Sequence, residues 1–243
     1  MIKLAISGAR GRMGQRITAL AAEDKAFKIV ALLENPQHPD ANSQKNGLTI
    51  SPDPSVMKKS NVLIEFTSPV ATMEHLDAAQ KFRIKMVIGT TGLNEIQIEQ
   101  IKAASKRIPI VFSSNMSVGV NILFATARDL ARRCAGRYQM RIVEAHHIHK
   151  KDAPSGTAKT LTQIIEQAAK DKVVDIQSIR EGETIGDHEI IFESPVDTIK
   201  ISHHAKTRDI FAAGALVAAK FLAKKSKGLF TMEDVLGIKN KEI

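Results

Sequence analysis

"MIKLAISGARGRMGQRI", residues 1–17, runs a short apolar stretch directly into a glycine-rich turn and then into a helical pattern. Lys3–Ser7 has the composition of a buried strand, and "GQRITALAAED" has helical spacing. Gly8, Gly11 and Gly14 stand as G-x-x-G-x-x-G, a variant of the dinucleotide fingerprint whose second glycine is displaced by one. Such a loop permits a tight turn, close approach of backbone to a pyrophosphate, and a helix N-terminus whose N–H groups face the anion. A plain strand-to-helix turn uses glycine too, so position decides between the two readings. Glu34 lies twenty residues after Gly14 at the end of the next apolar run, where an acid accepts from both ribose hydroxyls of an adenosine.

Working outward, the pattern repeats. Apolar runs at 28–34, 61–66, 85–89 and 108–113 alternate with helical stretches, one of which carries Pro69 near its start. Continuous apolar strands separated by helices predict an α/β fold with a doubly wound, Rossmann-like parallel sheet covered on both faces. Two turns fall where later strands should end: "GTTGL" (89–93) and "SSNMSVGVN" (113–121). Ligands on such sheets lie beyond the carboxyl ends of the strands, and small residues there let a nicotinamide lie against backbone. The same pairs are ordinary turn chemistry.

From residue 117 the pattern changes. A helical stretch is followed by a strand-like run at 138–147, a second helix from Ser155, and three strand-like runs, "DIQSIRE", "HEIIFES" and "DTIKISHHA". This predicts a smaller α+β unit with a mixed or antiparallel sheet. A long helix at 208–225 then returns the chain to the first domain. The expected organisation is 1–116 with 210–243 as a dinucleotide-binding domain and 117–209 as a substrate-binding and oligomerisation domain, with substrate in the cleft between them.

Composition narrows the function classes. The chain has 243 residues, 43% hydrophobic and 25% charged, with one cysteine, Cys134, and hence no intrachain disulfide. A strand so near the start predicts no signal peptide, and the longest apolar stretch is too short to span a bilayer; a cytoplasmic location is expected. The formal net charge of +9 suggests nucleic acid, but the basic residues are dispersed and aromatics make up only 4%, leaving few stacking platforms. Small anionic ligands explain the sign equally well.

"EAHHIHKKDAPSGTAKTL", residues 144–161, concentrates cations ahead of a helix start. A solvated loop, a metal cage completed by His203 and His204, and an anion site are the three readings. Against metal, His146 and His147 face opposite ways in an extended chain, and no acid has helical ligand spacing with them. A solvated loop leaves "DAPSGT" unexplained: Ser155 or Thr157 at a helix start beside Gly156 offers hydroxyls and a positive helix end. Cationic His and Lys there favour a small molecule rich in carboxylates, and each lowers the other's pKa into a range useful for proton transfer.

Taken together, "GARGRMG", "GTTGL", "SSNMSVGVN", "EAHHIHKKDAPSGTA", "SHHAKTRDIFAAGAL" and "LFTMEDVLGI" resemble, in order and over both ends of the chain, the 4-hydroxy-tetrahydrodipicolinate (dihydrodipicolinate) reductase family. The resemblance implies an oxidoreductase of diaminopimelate and lysine biosynthesis that reduces a cyclic imine dicarboxylate with NADH or NADPH, without a metal. It implies His146 as acid/base, Lys150 as proton donor, and His147, Ser155, Gly156 and Thr157 around a substrate carboxylate. It places the cofactor on Gly8, Ala9, Arg10, Gly11, Arg12 and Met13, on Glu34, on Gly89, Thr90 and Thr91, and on Ser113, Ser114, Asn115 and Met116. Homotetramers joined through the substrate-domain sheets are implied as well. Some members carry Arg after the acid where this chain has Asn35, while Arg10 and Arg12 stand ready for a 2′-phosphate, so use of both cofactors is expected.

Overall fold

The computed structural model describes residues 1–45, 47–170 and 175–238. It forms two compact units, Met1–Ser117 with Phe211–Ile243, and Val118–Ile210.

In the first unit, in chain order, lie β1 (Ile2–Ser7), α1 (Arg12–Glu23), β2 (Phe27–Leu33), β3 (Gln44–Lys45), β4 (Leu48–Ser51), a 3₁₀ turn (Pro54–Lys59), β5 (Val62–Glu65), α2 (Pro69–Phe82), β6 (Lys85–Ile88), α3 (Glu95–Ser105) and β7 (Pro109–Phe112). The second unit supplies α4 (Val118–Cys134), β8 (Gln139–His146), α5 (Gly156–Ala169), β9 (Asp175–Arg180), β10 (Asp187–Glu193) and β11 (Thr198–His204). Then α6 (Asp209–Ala223), β12 (Gly228–Phe230) and α7 (Met232–Leu236) complete the first.

The first sheet runs β12-β7-β6-β5-β1-β2-β4-β3 among the described residues, parallel except for the short β3–β4 pair. The doubly wound expectation therefore holds, extended by three short edge strands that the pattern did not mark, β4 and β3 on one side and β12 on the other. The central strands read as unbroken apolar runs because both faces are covered: Leu4, Ala5 and Ile6 on β1 and Val62, Leu63 and Ile64 on β5 are fully buried. Since β2 follows β1 to one side and β5 lies on the other, the chain reverses its winding between β1 and β5. The crevice outside their carboxyl ends is where open α/β sheets bind ligands.

Helix α6 is alanine-rich because it packs close. A Cβ on Gly214 would lie 1.7 Å from the Met116 carbonyl oxygen, so only glycine permits the approach. Its C-terminal carbonyls, Leu222 O and Ala223 O, accept from Lys85 Nζ at 3.0 and 2.7 Å, a cation on the negative helix end.

The second sheet is mixed, β11-β10-β8-β9, with β8 and β9 parallel across α5 and β10 antiparallel to both neighbours. Val120, Leu123, Phe124 and Ala127 of α4, and Leu161 and Ile165 of α5, cover one face of it. Along β8, Met140, Ile142, Glu144 and His146 are the buried positions, one face of a strand of period two. The register lines them up in ranks across the sheet. Met140–Phe192–Ile199 and Ile142–Ile190–Ile201 are apolar and form the core; the next rank is Glu144–His188–His203. At one end of the sheet, buried apolar side chains give way to buried ionisable ones, and that change locates a site.

Candidate functional site

The first unit carries a concavity of about 610 Å³ at the β1/β5 crevice, lined by Gly8, Arg10, Gly11, Glu34, Asn35, Phe66, Thr67, Ser68 and His75 among others. Gly8 is left-handed (φ +62°), a region that penalises side chains, and a Cβ there would lie 2.9 Å from Phe66 O. A Cβ on Gly14 would lie 2.1 Å from Gly8 O, so the third glycine lets α1 pack against the loop. Gly11 is the N-cap of α1 and, having no side chain, leaves the first-turn N–H groups uncapped from that position. Glu34 accepts from Arg10 N at 2.8 Å on one carboxylate oxygen and from Asn35 N at 2.9 Å on the other. A bare helix start, glycine-only close approach and an acid at the end of β2 fit a dinucleotide.

Beneath this crevice lies a cluster that the sequence patterns did not reveal. Glu65, fully buried at the end of β5, accepts from Ser7 Oγ (2.6 Å), Thr67 Oγ1 and His75 Nδ1 (2.7 Å). Thr90 Oγ1 accepts from Thr67 N at 3.1 Å and bonds Thr72 Oγ1 at 2.9 Å. One carboxylate and one hydroxyl thus tie together the ends of β1, β5 and β6 and the first turns of α2. Burial opposes a charge on His75, but the hydrogen bond and charge of Glu65 outweigh it and raise its pKa.

The second unit holds the ranked ionisable groups. His146 Nδ1 donates to Glu144 Oε2, and Arg180 Nη2 donates to Glu144 Oε1 at 2.8 Å and to Asp152 O at 2.6 Å. Arg180 is the direct β9 neighbour of His146, so parallel pairing across α5 sets this triad. The His188 ring meets that of His146 edge-on at 5.2 Å, and its Nε2 bonds Ser155 Oγ at 3.2 Å. Ser155 is the N-cap of α5 and accepts from Ala158 N at 3.2 Å. A Cβ on Gly186 would lie 3.1 Å from His146 Nε2, so glycine there keeps that nitrogen uncrowded. Lys150 Nζ sits 2.8 Å from Asp152 Oδ1, on the loop that Arg180 holds.

Electrostatics assign protonation. Burial raises the Glu144 carboxyl, but the bonds from Arg180, Ser178 and His146 prevail and lower its pKa, so it is ionised. Burial lowers His146, Glu144 opposes, and the charges of Lys150 and Arg180 lower it further. His188 is pushed down to about 4 by burial and by His146, and stays neutral. With Glu144 accepting from Nδ1, the neutral His146 offers an Nε2 lone pair and its imidazolium an Nε2 proton. Glu144, His146 and His188 bring three ligand atoms within 4.8 Å of one another. Both Glu144 oxygens are already bonded and a guanidinium lies 2.8 Å away, so this donor set does not suit a cation.

Among the residues singled out from sequence, Gly8, Arg10, Gly11 and Glu34 line one concavity. Ala9 is buried and its N–H donates to Leu33 O at 3.0 Å, while Arg12 is exposed at the start of α1 and Met13 is half-buried beside it. Gly89 packs on the Phe66 ring and Thr90 is buried, whereas Thr91 is exposed. Ser113 Oγ donates to Asn115 O at 2.8 Å, Ser114 is exposed, and Met116 is buried beneath Gly214. In the second unit His146, Lys150 and Ser155 come together; Gly156 and Thr157 open α5, and His147 holds a buried Nδ1 with no hydrogen-bond partner. The metal cage that the sequence argues against would have needed His203 and His204 beside the histidine run. His204 bonds Asp187 at 2.6 Å, and His188, not His203 or His204, meets His146. Glu144 was within reach of the sequence, since i and i+2 share a face of a strand; Arg180 and His188 required the register.

Comparison with known proteins gives the same frame. Residues 2–116 match the family profile "Dihydrodipicolinate reductase, N-terminus" and residues 119–236 match "Dihydrodipicolinate reductase, C-terminus". The chain is 39% identical to the 4-hydroxy-tetrahydrodipicolinate reductase of Nitrosomonas eutropha, over 98% of this chain and 99% of that one. It is 38% identical to the corresponding enzyme of Pelagibacter ubique, over 98% and 99%. Its fold is similar to that of dipicolinate-bound dihydrodipicolinate reductase from Paenisporosarcina sp. TG-14 (TM-score 0.82, 22% identity, 96% and 99% covered). An amine dehydrogenase from Mycobacterium smegmatis shares the architecture more loosely (TM-score 0.66, 11% identity, 96% and 95% covered). With both halves matched and relatives this similar over their whole length, the chain belongs to the dihydrodipicolinate reductase family.

Proposed function

We propose that the chain reduces 4-hydroxy-tetrahydrodipicolinate to tetrahydrodipicolinate with loss of water, His146 and Lys150 supplying the protons. As a member of its family it is an oxidoreductase of diaminopimelate and lysine biosynthesis that uses a nicotinamide cofactor. The observation carrying the residue roles is the Glu144-held His146 beside Lys150 and the capped start of α5.

The reduced nicotinamide, when bound, supplies hydride. Gly8 to Met13, Glu34 and the turns at Gly89–Thr91 and Ser113–Met116 are its cradle in this reading. On the substrate side, the α5 N-terminus with Gly156 and Thr157, together with His147, holds a carboxylate. Cationic Lys150 withdraws electrons from the conjugated imine, which favours hydride addition. The ring is then an enamine that must gain a proton at carbon, and Nε2 of His146, uncrowded because residue 186 is glycine, delivers it. Glu144 stabilises the imidazolium while it carries that proton.

The same reading makes the enzyme a cytoplasmic homotetramer joined through the second sheet, with NADH and NADPH both accepted. The exposed face of that sheet, with Lys200, Ser202 and Glu193, supports it; no described helix is long and apolar enough to cross a membrane. The test supplies the purified chain with freshly made condensation product of pyruvate and aspartate semialdehyde and follows absorbance loss of NADH and NADPH separately. Turnover is expected with this substrate and not with an open-chain oxo acid plus ammonia; the reverse pattern would replace the reading with an amino-acid dehydrogenase.

A further inference from the structure

Arg10 reaches from the glycine loop toward the adenosine end of the crevice, and it is already engaged. Its Nε donates to Asp40 Oδ2 at 2.5 Å, and its backbone N–H donates to Glu34 at 2.8 Å. Asp40 is set by its own turn: its N–H donates to His38 Nδ1 at 3.1 Å, and Ala41 N donates to His38 O at 2.9 Å. Arg10, His38 and Glu34 all line the concavity that fits the nucleotide.

We infer that Asp40 is a specificity-determining residue that restrains Arg10 and biases the enzyme toward NADH. The inference rests on the dinucleotide reading of this crevice. Glu34 and Asp40 contribute two negative charges and Arg10 one positive, so the neighbourhood of the ribose is net negative. A 2′-hydroxyl donates to such a site, whereas a 2′-phosphate brings roughly 1.5 to 2 further negative charges at neutral pH. Among the described residues that line the concavity, Arg10 alone carries a guanidinium, whose planar fork suits a phosphate, and its partner neutralises it. Both side chains are about one-third exposed (34% and 37%), where an ion pair adds little to folding. Asp40 therefore sets where Arg10 points and what it can bind, and its replacement leaves the fold standing.

The experiment compares wild type, Asp40→Asn, Asp40→Ser and Asp40→Asn/Arg10→Gln. Calorimetric affinities for 5′-AMP and 2′,5′-ADP are read beside kcat/KM for NADH and NADPH. Wild type is expected to prefer NADH. Either single substitution should raise both the 2′,5′-ADP to 5′-AMP affinity ratio and the NADPH to NADH ratio roughly tenfold, and the added Arg10→Gln should cancel the gain. A wild-type preference for NADPH, unchanged ratios in both single variants, or a gain that survives loss of Arg10 overturns the inference. If NADH binds and the ratios stay put, only this inference falls; if wild type binds neither NADH nor 5′-AMP, the dinucleotide reading falls and takes the inference with it.

Discussion

Replacing Glu144 by glutamine removes a charge while keeping its shape, and the structure fixes what that should do. Glu144 is fully buried and both its oxygens are bonded, one to His146 and one to Arg180. Breaking a buried ion pair by removing one partner costs about 3–5 kcal/mol. The glutamine oxygen still accepts from Arg180, which also keeps Asp152 O, so a loss of about 2 kcal/mol is expected. For a chain of this size that corresponds to a fall in Tm of roughly 4–8 °C. The amide presents N–H to His146 Nδ1, which then must accept, so the ring adopts the opposite tautomer and loses its stabilised imidazolium. A fall in kcat of about a hundredfold is expected. Because Glu144 works to raise the His146 pKa against burial, its neutralisation lowers that pKa further. The limb of the pH–rate profile that requires protonated His146 then moves toward lower pH. Stopped-flow NADH oxidation across pH 5–8, on protein whose folded fraction is measured by calorimetry, reads all three effects. A lowered Tm with unchanged kcat and an unmoved profile per folded molecule would refute the reasoning and leave Glu144 a purely structural acid.

Other expectations follow from the same contacts. His75 has a raised pKa, so the stability it contributes is fully present below the ordinary histidine value of 6.5 and is lost as pH rises through its folded pKa; the Tm difference between wild type and His75→Gln should therefore hold below about pH 6.5 and shrink above it, and a constant difference would contradict the Glu65–His75 pairing. Gly14→Ala puts a methyl 2.1 Å from Gly8 O and must shift the loop, at a cost of about 1–3 kcal/mol; calorimetry should show NADH affinity reduced at least tenfold, and unchanged affinity would dissociate the loop from the cofactor. Lys85→Met removes two hydrogen bonds from the end of α6 and should lower unfolding free energy by about 1–2 kcal/mol in denaturant titrations while kcat holds, an outcome that a drop in kcat at unchanged stability would reverse.

The first unit was largely legible because strands buried on both faces leave long apolar runs and because a glycine loop has its own steric signature. Its edges were not: β3 is two residues long and β12 three, too short for period or propensity to register. The clustered cations of residues 144–158 pointed to the second candidate site, and the period-two alternation along β8 puts Glu144 on the same face as His146, a pairing that the sequence reading passed over. What completes the site comes from register. Arg180 faces His146 only because β8 and β9 pair in parallel across α5, and His188 faces Glu144 only because β10 runs antiparallel at that offset. Long-range pairing leaves no trace in local spacing, which is why the sequence did not single out His188. The Glu65–His75 pair escaped for a related reason: ten residues apart, its members belong to a strand and a helix that meet only after folding.

The central claim is that the buried polar rank at the end of the second sheet, through His146 and Lys150, delivers protons to a substrate held at the α5 N-terminus. It is tested most directly by measuring steady-state kcat and NADH affinity together in His146→Ala and Lys150→Ala. The account predicts that each loses about a hundredfold or more in kcat while NADH binds as in wild type. A variant that turns over at the wild-type rate would contradict it.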